Sequence, residues 1–190
     1  MITIYGEQAR PYCQKVIRMV NAVGLVYTNT EAMNDKDRAF VATVSPNGTT
    51  PVILDSDNGV SVSESNAILL YLADKTGKLL PGQGQARADG YQWLLFESTA
   101  LSASINELYH YLCAAPMDIP YALDRGRKRV LRCMEIVDKR LAERDFLCGE
   151  VSIADIAIRP WTSVVEEFTD VSLATFSHVM TWSRRMDALP

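Results

Sequence analysis

The chain has 190 residues, 48% hydrophobic and 22% charged, with a net charge of -4 and a pI near 5.2. That length allows one large core or two small ones, and an acidic balance argues against a binder of nucleic-acid phosphates, whose affinity rests on clustered Lys and Arg. No apolar run reaches the roughly 18 residues of a membrane span, and Met1-Ile2-Thr3-Ile4-Tyr5 is no export signal, so a cytoplasmic protein without membrane or nucleic-acid partners is expected.

Residues 2–5 form a short β-branched and aromatic run, and Pro11 suits the first turn of a helix. Val16, Ile17, Val20 and Val23 recur at helical spacing, and Gly24 lies where a left-handed cap would end that helix. Val26 to Thr30 has strand composition, so the opening reads β-α-β, with a parallel strand pair. A polar, weakly periodic stretch follows. Dense turn signals from Ser45 to Pro51 then lead into the strand Val52-Ile53-Leu54, which Asp57-Asn58-Gly59 joins to Val60-Ser61-Val62 as a hairpin. Ser63-Glu64-Ser65-Asn66 heads the apolar helix Ala67 to Ala73. The order β-α-β, a variable stretch, then β-β-α is thioredoxin-like, which defines a domain over residues 1–77.

Pro81, Gly82 and Gly84 mark a linker, after which strand signals fade. An all-helical domain is expected over 86–190, with helices near 87–114, 120–143, 153–167 and 175–188. The basic run Arg125 to Arg129 falls in a helical pattern and reads as a solvated face. Cys13, Cys113, Cys133 and Cys148 form no CxxC pair and have no neighbouring His, so free thiols and no metal are expected.

Four motifs bear on chemistry. Thr50-Pro51 opens a strand: in the cis form it would leave the Val52 backbone open to an extended peptide, while in the trans form it merely ends a turn. At Ser63-Glu64-Ser65-Asn66, unpaired N–H groups of a helix start and the Ser65 hydroxyl suit a carboxylate, and Glu64 suits an ammonium group. The alternative is an ordinary cap without a ligand. Cys13, in a first helical turn beside Arg10 and Lys15, has reasons for a lowered pKa, or else fills space as a small hydrophobe. Ser152-Ile153-Ala154-Asp155-Ile156 has the pattern of a capping box, and its role is structural.

Together, Ser45-Pro46-Asn47-Gly48 with Pro51, Glu64 to Leu72, and Ser152 to Ile156 resemble the cytosolic glutathione transferase superfamily. Ala114-Ala115-Pro116, Ile119 to Arg125, and Ala73 to Gly77 look most like its bacterial Nu class of disulfide-bond reductases. The resemblance implies the fold: an α/β thioredoxin-like domain with an all-α C-terminal domain, assembled as a homodimer. It implies that Pro51 is cis, that Thr50, Pro51 and Val52 hold the cysteinyl part of glutathione, and that Glu64 and Ser65 grip its γ-glutamyl end. It also implies that Arg125 approaches the tripeptide.

The chain departs from the family at its reactive end. Arg10-Pro11-Tyr12 replaces a Thr-Pro-Asn turn, Arg10 stands where related enzymes keep a nucleophilic Cys, and Thr49 replaces a Lys that meets the glycyl carboxylate. The expected activity is glutathione-dependent reduction of disulfides or conjugation of small electrophiles. Arg10, Tyr12 and the backbone of the helix start would stabilise the thiolate, Cys13 would either assist or form a transient mixed disulfide, and Tyr5 is a second hydroxyl candidate. Tyr109, Tyr111 and Leu112 would line an apolar pocket for the second substrate. The rival reading is a non-catalytic interaction module on the same scaffold.

Overall fold

In the computed structural model, which describes residues 1–189, the chain divides into two units, residues 1–80 and 81–189. The first runs β1 (Ile2–Tyr5), α1 (Pro11–Val23), β2 (Tyr27–Thr30), α2 (Asp35–Val44), β3 (Val52–Asp55), β4 (Val60–Ser63) and α3 (Ser65–Thr76). Its sheet has the order β2-β1-β3-β4, with β1 and β2 parallel and the other pairs antiparallel. Strand side chains alternate between faces, and Ile2 and Ile4 of β1 are accordingly buried while Thr3 and Tyr5 are not.

Helix α1 begins as read: Pro11 occupies its first turn, and Gly24 ends it at φ 78°, a conformation that costs glycine no Cβ clash. Helix α2 is a feature the weak periodicity concealed. Only Val41 is buried along it, so no apolar stripe announces it. A reciprocal cap starts it instead: Asp37 N–H donates to Asn34 Oδ1 at 3.0 Å and Asn34 N–H to Asp37 Oδ2 at 3.1 Å.

The β3–β4 hairpin is tied to the far end of α3 by charge. Lys75 donates to Asp55 at 2.6 Å and to Asp57 at 2.7 Å, Tyr71 donates to Asp55 at 2.6 Å, and the terminal amino group of Met1 pairs with Asp57 at 2.7 Å. Burial opposes ionisation of Asp55, but the hydrogen bonds from Lys75 and Tyr71 outweigh it and hold the carboxyl below its usual range.

The second unit runs α4 (Gln85–Phe96), α5 (Ser102–Cys113), α6 (Pro120–Leu141), α7 (Ile153–Phe168) and α8 (Ser177–Asp187). A single helix was expected over 87–114, and one turn of π-helix at Glu97–Leu101 interrupts it. The cause lies in its hydroxyl-rich sequence: Ser98, Thr99, Ser102 and Ser104 each donate to a carbonyl four residues back, competing with the regular ladder. Gly126 of α6 lies against α5, where a Cβ would come within 3.1 Å of Leu108, so glycine sets the closeness of the two helices.

The core of this unit is organised around Asp155. Its carboxylate is wholly buried and accepts from Leu147 N–H at 2.9 Å, Ser152 N–H at 3.0 Å, Ser152 Oγ at 3.0 Å and Trp182 Nε1 at 2.9 Å. The capping box read from the sequence is present, and it also binds the preceding loop and α8. The basic run is solvated and paired with acids: Arg125 and Arg129 with Glu107, Arg127 with Asp170, and Lys128 with Asp124. All four cysteines are free thiols.

Candidate functional site

Strand register brings three separate segments to one end of the first sheet. Val52 lies opposite Tyr5 on one side and Ser63 on the other. Antiparallel pairing therefore carries Pro51, one residue before β3, between Gly6, just past β1, and Glu64, just past β4. The Thr50–Pro51 bond is cis. The loop before it is ordered by Ser45, nearly fully buried, whose Oγ accepts from Thr49 N–H at 3.0 Å. Ser63 Oγ donates to the Val44 carbonyl at 3.2 Å, tying the end of α2 to the same edge.

Beside that edge starts α3, and its start is not an ordinary cap. Glu64 takes the N-cap position at φ 65° and ψ 112°, in a region that residues with a Cβ rarely enter, and no side chain caps the helix. Ser65 follows, 7% exposed, with its hydroxyl at the first turn, while the Glu64 side chain is exposed. A helix start without a side-chain cap, a buried hydroxyl and an exposed carboxylate thus stand within two residues. Together they suit a ligand carrying a carboxylate and an ammonium on one carbon. Backbone strain of this kind persists where the surroundings hold it, and such positions cluster at ligand clamps.

The start of α1 differs from what the sequence suggested. Pro11 has no N–H, and the N–H groups of Cys13 and Gln14 both turn back to the Arg10 carbonyl, at 3.0 and 2.9 Å. These two amides are therefore used inside the helix, and the Arg10 amide donates to the Glu7 carbonyl at 3.0 Å. Arg10 pairs with Glu7 at 2.9 Å, which offsets its charge. Tyr12 is half-buried, with Lys15 Nζ 5.4 Å from its ring centroid.

Cys13 corrects a second expectation. The residue is fully buried, and its Sγ packs so close to Gly6 that a Cβ there would lie 2.5 Å away. Burial, then the negative charges of Glu7 and Glu31, push its pKa up to about 11 against the lowering effects of Arg10 and a hydrogen bond with Thr50. With that value only about one thiol in a thousand is ionised at pH 8. Cys13 is a packing residue behind the cis-proline loop, not a lowered-pKa nucleophile. We expect a short treatment with iodoacetamide at pH 8 to label exposed Cys113 and to spare Cys13 until the protein is unfolded; peptide mass spectrometry reads both.

Tyr5, the other hydroxyl candidate, rests against Phe40 of α2 with ring centroids 5.1 Å apart, and burial raises its pKa, with Asp37 adding to the effect. In the second unit, Arg125 is exposed on α6 and paired with Glu107 at 2.7 Å. Tyr109 packs edge-on to Phe168 at 6.3 Å, and Tyr111 and Leu112 are half-buried on α5. Sequence reasoning treated Lys15 only as a positive charge beside Cys13. It is 1% exposed, and its Nζ donates to Asn66 Oδ1 at 2.9 Å, joining α1 to the first turn of α3. A signal was available, because Lys15 falls four residues before Met19 and three after Tyr12, on the buried side of α1.

Comparison with known proteins gives these segments a context. The N-terminal domain of glutathione S-transferase matches residues 9–75, and its C-terminal domain matches residues 109–190. The disulfide-bond oxidoreductase YfcG of Escherichia coli is 38% identical over 153 residues, 77% of this chain and 71% of that protein. A second E. coli disulfide-bond oxidoreductase, YghU, is 34% identical over 161 residues, and the match covers 77% of this chain but 54% of that longer protein. Among solved structures, Ure2p in complex with glutathione superposes with a TM-score of 0.89 at 26% identity, covering 100% of this chain and 90% of that one. A glutathione S-transferase from Xanthobacter autotrophicus superposes with a TM-score of 0.85 at 29% identity, covering 100% and 94%. With both domains matched in order and a relative this similar, the chain belongs to the glutathione S-transferase family.

Proposed function

We propose that the protein is a glutathione-dependent disulfide-bond reductase. The uncapped start of α3, with Glu64 at positive φ beside cis-Pro51, carries this reading. The first turn of α3 and the Ser65 hydroxyl take the γ-glutamyl carboxylate, Glu64 takes its ammonium, and the Val52 backbone takes the cysteinyl part, with Thr50 and Pro51 shaping the turn. Arg125, by the likeness to the family, is a further candidate for holding glutathione. Two relatives named as disulfide-bond oxidoreductases, at 38% and 34% identity, favour reduction over conjugation and over a purely scaffolding role.

In the overall reaction, two glutathione thiols give up their protons and join as glutathione disulfide, while the two sulfurs of the substrate take up the protons as thiols. Glutathione supplies the reacting sulfur throughout, since Cys13 is buried and protonated. Arg10, once released from Glu7, and the Tyr12 hydroxyl would favour its thiolate. Tyr109, Tyr111 and Leu112 offer the apolar surface for the second substrate. A homodimer fits exposed Tyr91 and Leu95, one turn apart on α4, and a cytoplasmic setting fits four free thiols.

Calorimetry with glutathione tests the reading. We expect Ser65→Ala to raise the dissociation constant about tenfold, the effect of removing one hydrogen bond to a charged group. An unchanged constant would remove the γ-glutamyl assignment.

A further inference from the structure

A lysine buried to 1% exposure is unusual, because an ammonium taken out of water is costly and a Met of similar length would fill the same space without that cost. Lys15 spans from α1 to Asn66, the residue directly after Ser65. Its ammonium is therefore held at the first turn of α3, whose start no side chain caps. Building on the glutathione reading above, we propose that Lys15 is a positioning residue: its ammonium fixes Asn66 and, through it, the Glu64–Ser65 turn, and sets positive charge beside the partial charge of the α3 start.

The geometry gives Lys15 two separate effects. Its hydrogen bond to Asn66 holds the second residue of α3, which limits fraying of a helix end that no side chain caps. Its charge favours an anion at that helix start over a neutral group, and the effect is strengthened because bulk water is excluded from the lysine. Lys15 itself does not touch the ligand, since it has almost no exposed surface. The consequence is selective: a ligand with the α-carboxylate gains from Lys15, and one without it gains little.

The test compares glutathione with its analogue in which 4-aminobutyrate replaces the γ-glutamyl residue, so that only the α-carboxylate is lost and the ammonium is kept. Calorimetry on wild type, Lys15→Met, Lys15→Arg and Asn66→Leu gives the affinities, and disulfide reduction gives KM and kcat. We expect Lys15→Met to weaken glutathione about tenfold, to leave the analogue unchanged, to raise KM for glutathione and to keep kcat. Lys15→Arg should recover most of the loss. Equal weakening of both ligands would show a merely structural lysine and overturn the proposal, as would unchanged glutathione affinity. Should Lys15→Met not fold, Asn66→Leu decides the matter: a smaller loss confined to glutathione supports the proposal, and a loss shared by both ligands overturns it. If wild type itself fails to bind millimolar glutathione, the glutathione reading falls first and this proposal with it.

Discussion

Asp155→Ala should unfold the second unit at far lower denaturant than wild type. The carboxylate is fully buried and receives four hydrogen bonds, from Leu147 N–H, Ser152 N–H, Ser152 Oγ and Trp182 Nε1. Alanine leaves those donors without an acceptor in a space water does not readily reach, and each orphaned buried group costs about 1–3 kcal/mol. Even at the low end the loss is about 4 kcal/mol, a large part of what a domain has. Asp155→Asn keeps the shape and one acceptor oxygen but turns an NH2 toward donors, so it should lie between the two. Urea titration followed by Trp fluorescence measures the shift, because Trp182 reports on the site directly. A variant within about 1 kcal/mol of wild type would mean that the buried network contributes little net stability.

Gly6→Ala should be nearly as damaging in the first unit. Gly6 sits at φ 145°, and a Cβ there would lie 2.5 Å from Cys13 Sγ and 3.0 Å from Thr50 Cβ. The added methyl meets strained backbone and overpacking together, so a cost of about 3 kcal/mol or more is expected. The displaced groups carry the cis-proline turn, and glutathione affinity should fall with stability. The double variant Gly6→Ala, Cys13→Ala separates the two causes. It removes the sulfur but leaves the backbone conformation and the Thr50 contact, so thermal unfolding should show partial recovery. Full recovery would assign the whole cost to the sulfur, and none would assign it to the backbone.

How much of this was legible in the chain differs by element. Helix α1 was readable because Val16, Ile17, Val20 and Val23 form a stripe and Gly24 supplies the cap. The same stripe, extended backwards by three and four residues, reaches Cys13, so its burial was implied by the spacing that also marked it as a helix-start thiol. The electrostatic argument for a reactive Cys13 failed because desolvation, which a linear sequence does not display, outweighs the nearby positive charges. Helix α2 escaped notice because a cap starts it rather than an apolar face. The π-helical turn at Glu97–Leu101 follows from several hydroxyls acting together, which no single residue signals.

At the edge that joins Gly6, Pro51 and Glu64, turn residues and the hairpin showed where the segments lie along the chain. Their meeting at Gly6, Pro51 and Glu64 depends on strand register, and the positive φ of Glu64 runs against what a glutamate prefers. Strain at one residue is visible only once tertiary structure imposes it. The cis bond at Pro51 came from the likeness to known proteins rather than from proline itself, whose isomer local sequence leaves open.

The two ends of α3 are secured very differently. Lys75 and Tyr71 clamp its last turns to the hairpin through Asp55 and Asp57, whereas its first turn has no side-chain cap. Fraying is therefore directed to one end, where a ligand could supply the missing acceptor. A bound carboxylate would act as the absent N-cap, and the unfolding free energy of the first unit would rise with the logarithm of ligand concentration. For such a domain the thiol pool of its surroundings is a folding partner as well as a reactant, and heat resistance becomes a readout of occupancy.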